Sequence, residues 1–248
     1  LVSNQGVTLT EGDSFLISNS ILFVTDNDNP PPASLVYSVT SNPSNGTLFL
    51  GTTAVTSFTQ ADVNSGLLRY QHNGSESVSD SFTFAISDGS IPAPIGGNVF
   101  NIAITPVNDP PRVSLNTGLT LSEGTSSTIG NPALLVTDPD GPGPITYTLG
   151  NTPGRGSLLL GTTTLATGQT FTQSDINSGQ LSYLHDGSET TSDSFSFTAS
   201  DGSTGVLGST SFNINVTPVN DPPSLTIPGA QVVDEDGQLT LADATRIS

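Results

Sequence analysis

Residues 58–89 read FTQADVNSGLLRYQHNGSESVSDSFTFAISDG, and residues 171–202 read FTQSDINSGQLSYLHDGSETTSDSFSFTASDG. The two stretches are identical at 21 of 32 positions, and Phe58 and Phe171 are 113 residues apart, as are Asp88 and Asp201. The run TPVNDPP at 105–111 returns at 217–223, so Asp109 and Asp221 are 112 apart, and Glu11, Glu123 and Glu235 keep the same spacing. A fixed period of this size is the mark of a tandem array, which builds length or surface rather than a single active site. The expected division is a first repeat over 1–108, a second over 109–220, and a linker with the start of a third over 221–248.

Within each repeat the apolar period is two. Phe82, Phe84 and Ile86 alternate with Thr83, Ala85 and Ser87; Phe100, Ile102 and Ile104 do the same, and so do Phe212, Ile214 and Val216. Such alternation predicts half-buried strands over 80–87, 98–105 and 210–217. Shorter strands are expected over 22–25, 36–40, 47–50 and 67–71, with counterparts one period later. About seven short strands per repeat, separated by Gly, Pro, Asn and Ser, predict an all-β chain of cadherin-like or Ig-like sandwiches. One helical turn per repeat, α or 3₁₀, is expected after Thr59 and Thr172. There the Thr hydroxyl can accept an orphan amide, Asp62 or Asp175 can reach back, and Gly66 or Gly179 suits the left-handed exit. The Pro-rich linker predicts a stiff connection.

Composition narrows the function. The chain has 22 Asp and Glu against four Arg, with no Lys and no Cys, for a net charge of -18. Phosphate recognition needs clustered Lys and Arg, so nucleic acid is excluded as a partner. No disulfide or thiolate metal site is possible. No apolar run is long enough to span a bilayer as a helix, so no direct membrane insertion is expected. The sequence opens on Leu1 and reads as a fragment, which leaves targeting information outside it.

The acids recur at fixed places. They are Glu11 with Glu123, Asp26 and Asp28 with Asp138 and Asp140, Glu76 with Asp186 and Glu189, Asp88 with Asp201, and Asp109 with Asp221. In a sandwich, residues at strand ends gather at the poles, where successive repeats meet. Two carboxylates about 4 Å apart repel by roughly 4 kcal/mol at an effective dielectric near 20. Oxygen donors without Cys point to Ca²⁺ rather than Zn²⁺. Plainer readings stand beside this one. Asp138-Pro139-Asp140-Gly141 is also an ordinary turn sequence. Asp80 and Asp193 suit hydrogen bonds to turn amides, and His72 and His185 suit a structural role bonded to the backbone.

The run FTQxDxNxGxLxYxHDGSExxSDSFxFxxSDG, closed by VNDPP, resembles the chondroitin-sulfate-proteoglycan (CSPG) repeat, a cadherin-like sandwich of animal cell-surface proteins and long bacterial surface proteins. The third segment, IPGAQVVDEDGQLTL, resembles the cadherin-like repeats of bacterial adhesins. The resemblance implies Ca²⁺ between domains. By this likeness Glu11 matches the early Glu, Glu76 the acid before the sixth strand, and Asn108-Asp109 the linker core. Asp138 and Asp140 match the Asp-x-Asp of the next domain, and Asp201 its late Asp. Asp26, Asp28, Asp88, Glu123, Asp186, Glu189, Asn220 and Asp221 are their counterparts. Pro106 and Pro110 replace linker ligands, and Asn73 replaces the acid kept as Asp186, so one or two ions per junction are expected rather than three.

The expected function is a calcium-stiffened spacer or adhesion segment of a long extracellular or cell-surface protein, a bacterial adhesin by its composition. It is expected to be a monomer and not an enzyme. Its partners are neighbouring repeats and a cell-surface protein or glycan. The alternative is a carbohydrate- or matrix-binding module, which would need an aromatic platform. Tyr37, Tyr70, Tyr147 and Tyr183 all fall in expected strands and are assigned to the core.

Overall fold

The computed structural model describes residues 1–27, 31–89, 95–223 and 235–236. Asp28 and most of the expected third-repeat start, residues 224–234 and 237–248, lie outside the described residues. The chain divides into two compact units. The first comprises residues 1–110 with 138–143 and 203–205; the second comprises 111–137, 144–202 and 206–248.

Each unit is a pair of sheets. In the first, a five-stranded sheet runs in the order Val7–Thr10, Ile95–Thr105, Ser79–Ser87, Val36–Ser41, Ser57–Thr59. A four-stranded sheet runs Ser14–Leu16, Leu68–His72, Gly46–Leu50, Thr53–Ala54. Strands Ser3–Asn4 and Leu22–Phe23 form a separate pair. The second unit repeats this plan, with Leu119–Ser122, Val206–Thr217, Ser192–Ser200, Thr146–Asn151 and Thr170–Thr172 in its larger sheet. Among the described residues the pairing is antiparallel except for Val7–Thr10 on Ile95–Thr105 and Leu119–Ser122 on Val206–Thr217. The alternating segments of the sequence became the long inner strands. The short strands 3–4, 7–10, 14–16, 53–54 and 57–59 were not legible, because two to four residues are too few to show a period.

The alternation faces inward as the pleat requires. Asp80, Phe82, Phe84 and Ile86 are buried while Ser79 and Ser81 are exposed. Phe82 stacks on Phe100 at 5.0 Å and Tyr37 on Phe58 at 4.7 Å; in the second unit Phe195 stacks on Phe212 at 5.0 Å and Tyr147 on Phe171 at 4.8 Å. All four tyrosines are fully buried. Gly46 is required by one of them, since a Cβ there would lie 2.4 Å from the Tyr70 ring; Gly156 stands in the same relation to Tyr183.

The helical turns are α, Gln60–Asn64 and Gln173–Asn177, each closed by a full capping box from Thr59 and Asp62 or Thr172 and Asp175. Gly66 and Gly179 take positive φ at 66° and 72°. The turn places a glutamine in the core. Gln60 Oε1 accepts from the Tyr37 hydroxyl at 2.6 Å and from the Val24 amide at 2.9 Å, and Gln173 does the same for Tyr147 and Val136. Its role is therefore architectural.

Asp80 and Asp193 serve as latches, as the plainer reading held. Asp193 accepts from the amides of Gly154, Arg155 and Ser194 and from the Tyr183 hydroxyl at 2.8–2.9 Å. Burial works to raise its carboxyl, but these four donors outweigh burial and hold it below the ordinary aspartate value. A carboxyl depressed in the folded state stabilises above its unfolded pKa, and that stability is lost as pH falls through the folded value. Asp193→Ala should therefore destabilise the second unit by about 3 kcal/mol at neutral pH, and Thr172→Ala by about 1 kcal/mol. Urea denaturation of the chain at pH 7 measures both, and the gap between Asp193→Ala and the parent should narrow in strong acid.

Candidate metal centres

The parallel pairing of Val7–Thr10 with Ile95–Thr105 fixes where the acids meet. Thr10 pairs with Thr105, so Glu11 emerges beside the linker that follows. Its amide donates to Thr105 O at 3.0 Å, and the Val107 amide donates to Glu11 Oε2 at 3.3 Å. The linker then supplies Asp109. Strand Leu68–His72 ends next to the same turn, with the His72 amide donating to Asp13 O, and its loop supplies Glu76. One oxygen from each of Glu11, Glu76 and Asp109 lies within 4.8 Å of the others. Asp140, in the segment that belongs to the first unit, accepts from the Asp109 amide at 2.7 Å through Oδ2.

The second unit builds the same centre from the same three sources. Ser122 pairs with Thr217, and Glu123, Glu189 and Asp221 offer oxygens within 4.8 Å of one another. Glu189 and Asp221 line an open concavity with Asn220 and the prolines of the linker. Glu123 is only 7% exposed, and its Oε2 has no hydrogen-bond partner. A buried carboxylate oxygen without a donor is costly, and a cation is one partner that this oxygen could take.

The remaining predicted residues divide. Asp138 Oδ1 accepts from the Asp140 amide at 2.8 Å, as in an ordinary turn, while its buried Oδ2 lacks a partner. Asn108 donates its side-chain amide to Thr204 O at 2.7 Å and to Asp109 O at 3.2 Å, and Asn220 donates to Asp221 O at 3.2 Å, so both side chains brace backbone. Asp186 accepts from the Ser188 amide and hydroxyl at 2.9 and 2.6 Å in an exposed turn, and those bonds lead the causes that hold its carboxyl low. It joins none of the carboxylate groups found among the described residues, and neither do Asp26 and Asp88. Asp201 is half-buried and lies in the second unit. His72 and His185 are buried and bonded to backbone amides, the structural role that the sequence suggested; what it did not show is which turns they meet. Each stands four residues before a cluster glutamate, at Glu76 and Glu189, and that spacing was the available signal.

A profile described as cadherin-like matches residues 1–104 and 111–216. The chain belongs to the cadherin-like family. It is 34% identical over 206 residues to Extracellular matrix protein 3 of Lytechinus variegatus, covering 81% of this chain and 6% of that protein. It is 34% identical over 213 residues to the mouse (Mus musculus) Extracellular matrix organizing protein FRAS1, covering 82% and 5%. Human (Homo sapiens) Chondroitin sulfate proteoglycan 4 is 32% identical over 204 residues, covering 80% and 9%. The chain thus spans less than a tenth of these relatives. Among solved structures, mouse cadherin-23 EC22-24 aligns with a TM-score of 0.40 at 15% identity, covering 88% of this chain and 64% of that one. Among the described residues no helix is long and apolar enough to cross a membrane.

Electrostatics distinguishes the first centre. Desolvation, then hydrogen bonding with Asp140, then repulsion from Glu11 and Asp140 push the Glu76 carboxyl up to about 7. Glu76 is exposed as a residue, and the carboxylates of Glu11 and Asp140 crowd it with like charge. A carboxyl raised in the folded state favours folding fully below its unfolded value, 4.5, and that contribution is lost as pH climbs through about 7. In chelator, the melting temperature should fall between pH 4.5 and 7.5, and Glu76→Gln should flatten that slope. A slope equal in the two proteins would show that Glu76 is not crowded by charge.

Proposed function

We propose that this chain is a non-enzymatic, calcium-binding spacer segment of a long extracellular or cell-surface protein. Glu123 carries the reading: a buried carboxylate with an unpartnered oxygen, held beside two more carboxylates, in a chain of net charge -18 without Lys. Flexible oxygen donors of this kind suit Ca²⁺, whereas Mg²⁺ demands rigid six-fold geometry and keeps its waters. Glu11, Glu76 and Asp109 would hold an ion in the first repeat, and Glu123, Glu189 and Asp221 in the second. Asp138, Asp140 and Asp201 are proposed as further donors. The proposed boundaries are 1–108, 109–220 and 221–248. With the linker prolines, bound calcium would stiffen successive repeats. The names of the matrix relatives support the extracellular setting, and the recurrence in both repeats of all three acids of each cluster supports the non-enzymatic one.

No observation favours the carbohydrate-binding alternative, because all four tyrosines lie in the cores and the chain has no Trp. The relatives reported are animal proteins, and nothing among them favours a bacterial origin; the reading does not depend on it.

Calcium should raise the melting temperature, with a stabilisation of about 2.7 kcal/mol at a hundred times its dissociation constant. Mg²⁺ should do much less. Glu123→Gln gives a two-sided test by scanning calorimetry. Removing the orphaned charge should raise stability in chelator, while the calcium increment of the second unit is lost. A parent protein whose melting is the same in calcium and in chelator would overturn the reading.

A further inference from the structure

In both units one imidazole joins the two turns that carry the cluster glutamates. His72 is 2% exposed, at the last inward position of strand Leu68–His72. Its Nδ1 accepts from the Gly12 amide at 3.0 Å and from the Gly74 amide at 3.2 Å. Gly12 follows Glu11, and Gly74 lies two residues before Glu76. Its Nε2 lies 2.9 Å from Ser77 Oγ, on the far side of Glu76. His185, also 2% exposed, repeats the pattern, with Nδ1 accepting from Gly124 at 3.2 Å and Gly187 at 3.1 Å, and Nε2 at 3.0 Å from Thr190 Oγ. Ser77 and Thr190 differ, but the hydroxyl is kept.

Two amides directed at Nδ1 require a bare lone pair there, so the proton sits on Nε2 and is donated to the hydroxyl. The ring thereby fixes three points: the turn after the first glutamate, and the loop on either side of the second. A packed aliphatic side chain would fill the same space and fix none of them.

We infer that His72 and His185 are positioning residues for the cation centres, holding Glu11 against Glu76 and Glu123 against Glu189 through Nδ1 and Nε2. This rests on the calcium reading given above. The geometry also ranks the two. In the first unit Gln71 Nε2 adds bonds to the Gly12 and Asp13 carbonyls at 2.8 and 3.2 Å. Leu184 takes that place in the second unit and has no amide to offer. His185 therefore acts with less support, and its loss should weaken binding more than loss of His72.

The test is calcium titration by isothermal calorimetry on the full 248-residue chain, paired with melting in calcium and in chelator. His185→Leu should weaken one class of sites at least tenfold. His185→Gln, which reaches towards Thr190 but sets no acceptor at the Nδ1 position, should do the same if the leucine variant fails to fold. His185→Asn, whose Oδ1 falls near Nδ1, should bind within threefold of the parent. A purely structural histidine would lower melting equally in calcium and chelator and leave affinity unchanged. Parent-like affinity in the folded Leu or Gln variant, or an Asn variant no better than Gln, would overturn the proposal while leaving calcium binding intact. Absence of calcium uptake by the parent would overturn both.

Discussion

The structure depends on the pleat of one strand in each repeat, Leu68–His72 and its counterpart Leu181–His185. Period-two geometry forces Leu68, Tyr70 and His72 onto one face, and all three are buried. Each does a different job along that face. Leu68 fills the core. The Tyr70 hydroxyl donates to Asp80 Oδ2 at 2.7 Å, and Asp80 in turn receives the amides of Ser44 and Asn45. Burial first, and then the Asp80 charge, push the Tyr70 hydroxyl up, so it keeps its proton and remains a donor. His72 leaves the core last and ties the turns at the pole. A slip of one residue would turn all three outward, and so the register is strongly specified.

The pole differs from the core in the sign of its energetics. Core polar groups such as Gln60, Asp80 and Asp193 are met by several donors each and stabilise the fold. The polar cluster of Glu11, Glu76 and Asp109, like that of Glu123, Glu189 and Asp221, gathers like charges, and in Glu123 it buries one oxygen without a donor. A fold that satisfies its interior this thoroughly and leaves its end strained has placed the strain where another charge can relieve it. The concentration of acids at the turns, rather than mid-strand, follows from the same division, since mid-strand positions face either the core or the sheet surface.

Much of this was legible in sequence because the chain states it twice. Alternating Phe residues marked the inner strands, and the Thr-Gln-x-Asp runs marked the helical turns, since both signals are local. Gln60 was not read as a core residue, because its burial follows from the helical turn docking against Tyr37 and Val24. Asp186 and Glu189 looked equivalent as candidate ligands, being three residues apart in one loop. They separate only because Ser188 turns the Asp186 carboxylate back on its own loop.

The sequence alone determined the repeat, the all-β class, the inward face of each long strand and the scarcity of cationic side chains, four Arg and no Lys against 22 acids. These follow from periodicity and composition, which need no long-range information. The tertiary structure decided which acids meet. Glu11 and Asp109 are 98 residues apart in the chain, and only the parallel pairing of Val7–Thr10 with Ile95–Thr105 brings them to one place. It also decided that Glu123 is buried with one carboxylate oxygen unpartnered, while Asp193 is met by four donors. A carboxylate reads the same in sequence in either setting; its surroundings, set by strand pairing and loop packing, make one a latch and the other a candidate ligand.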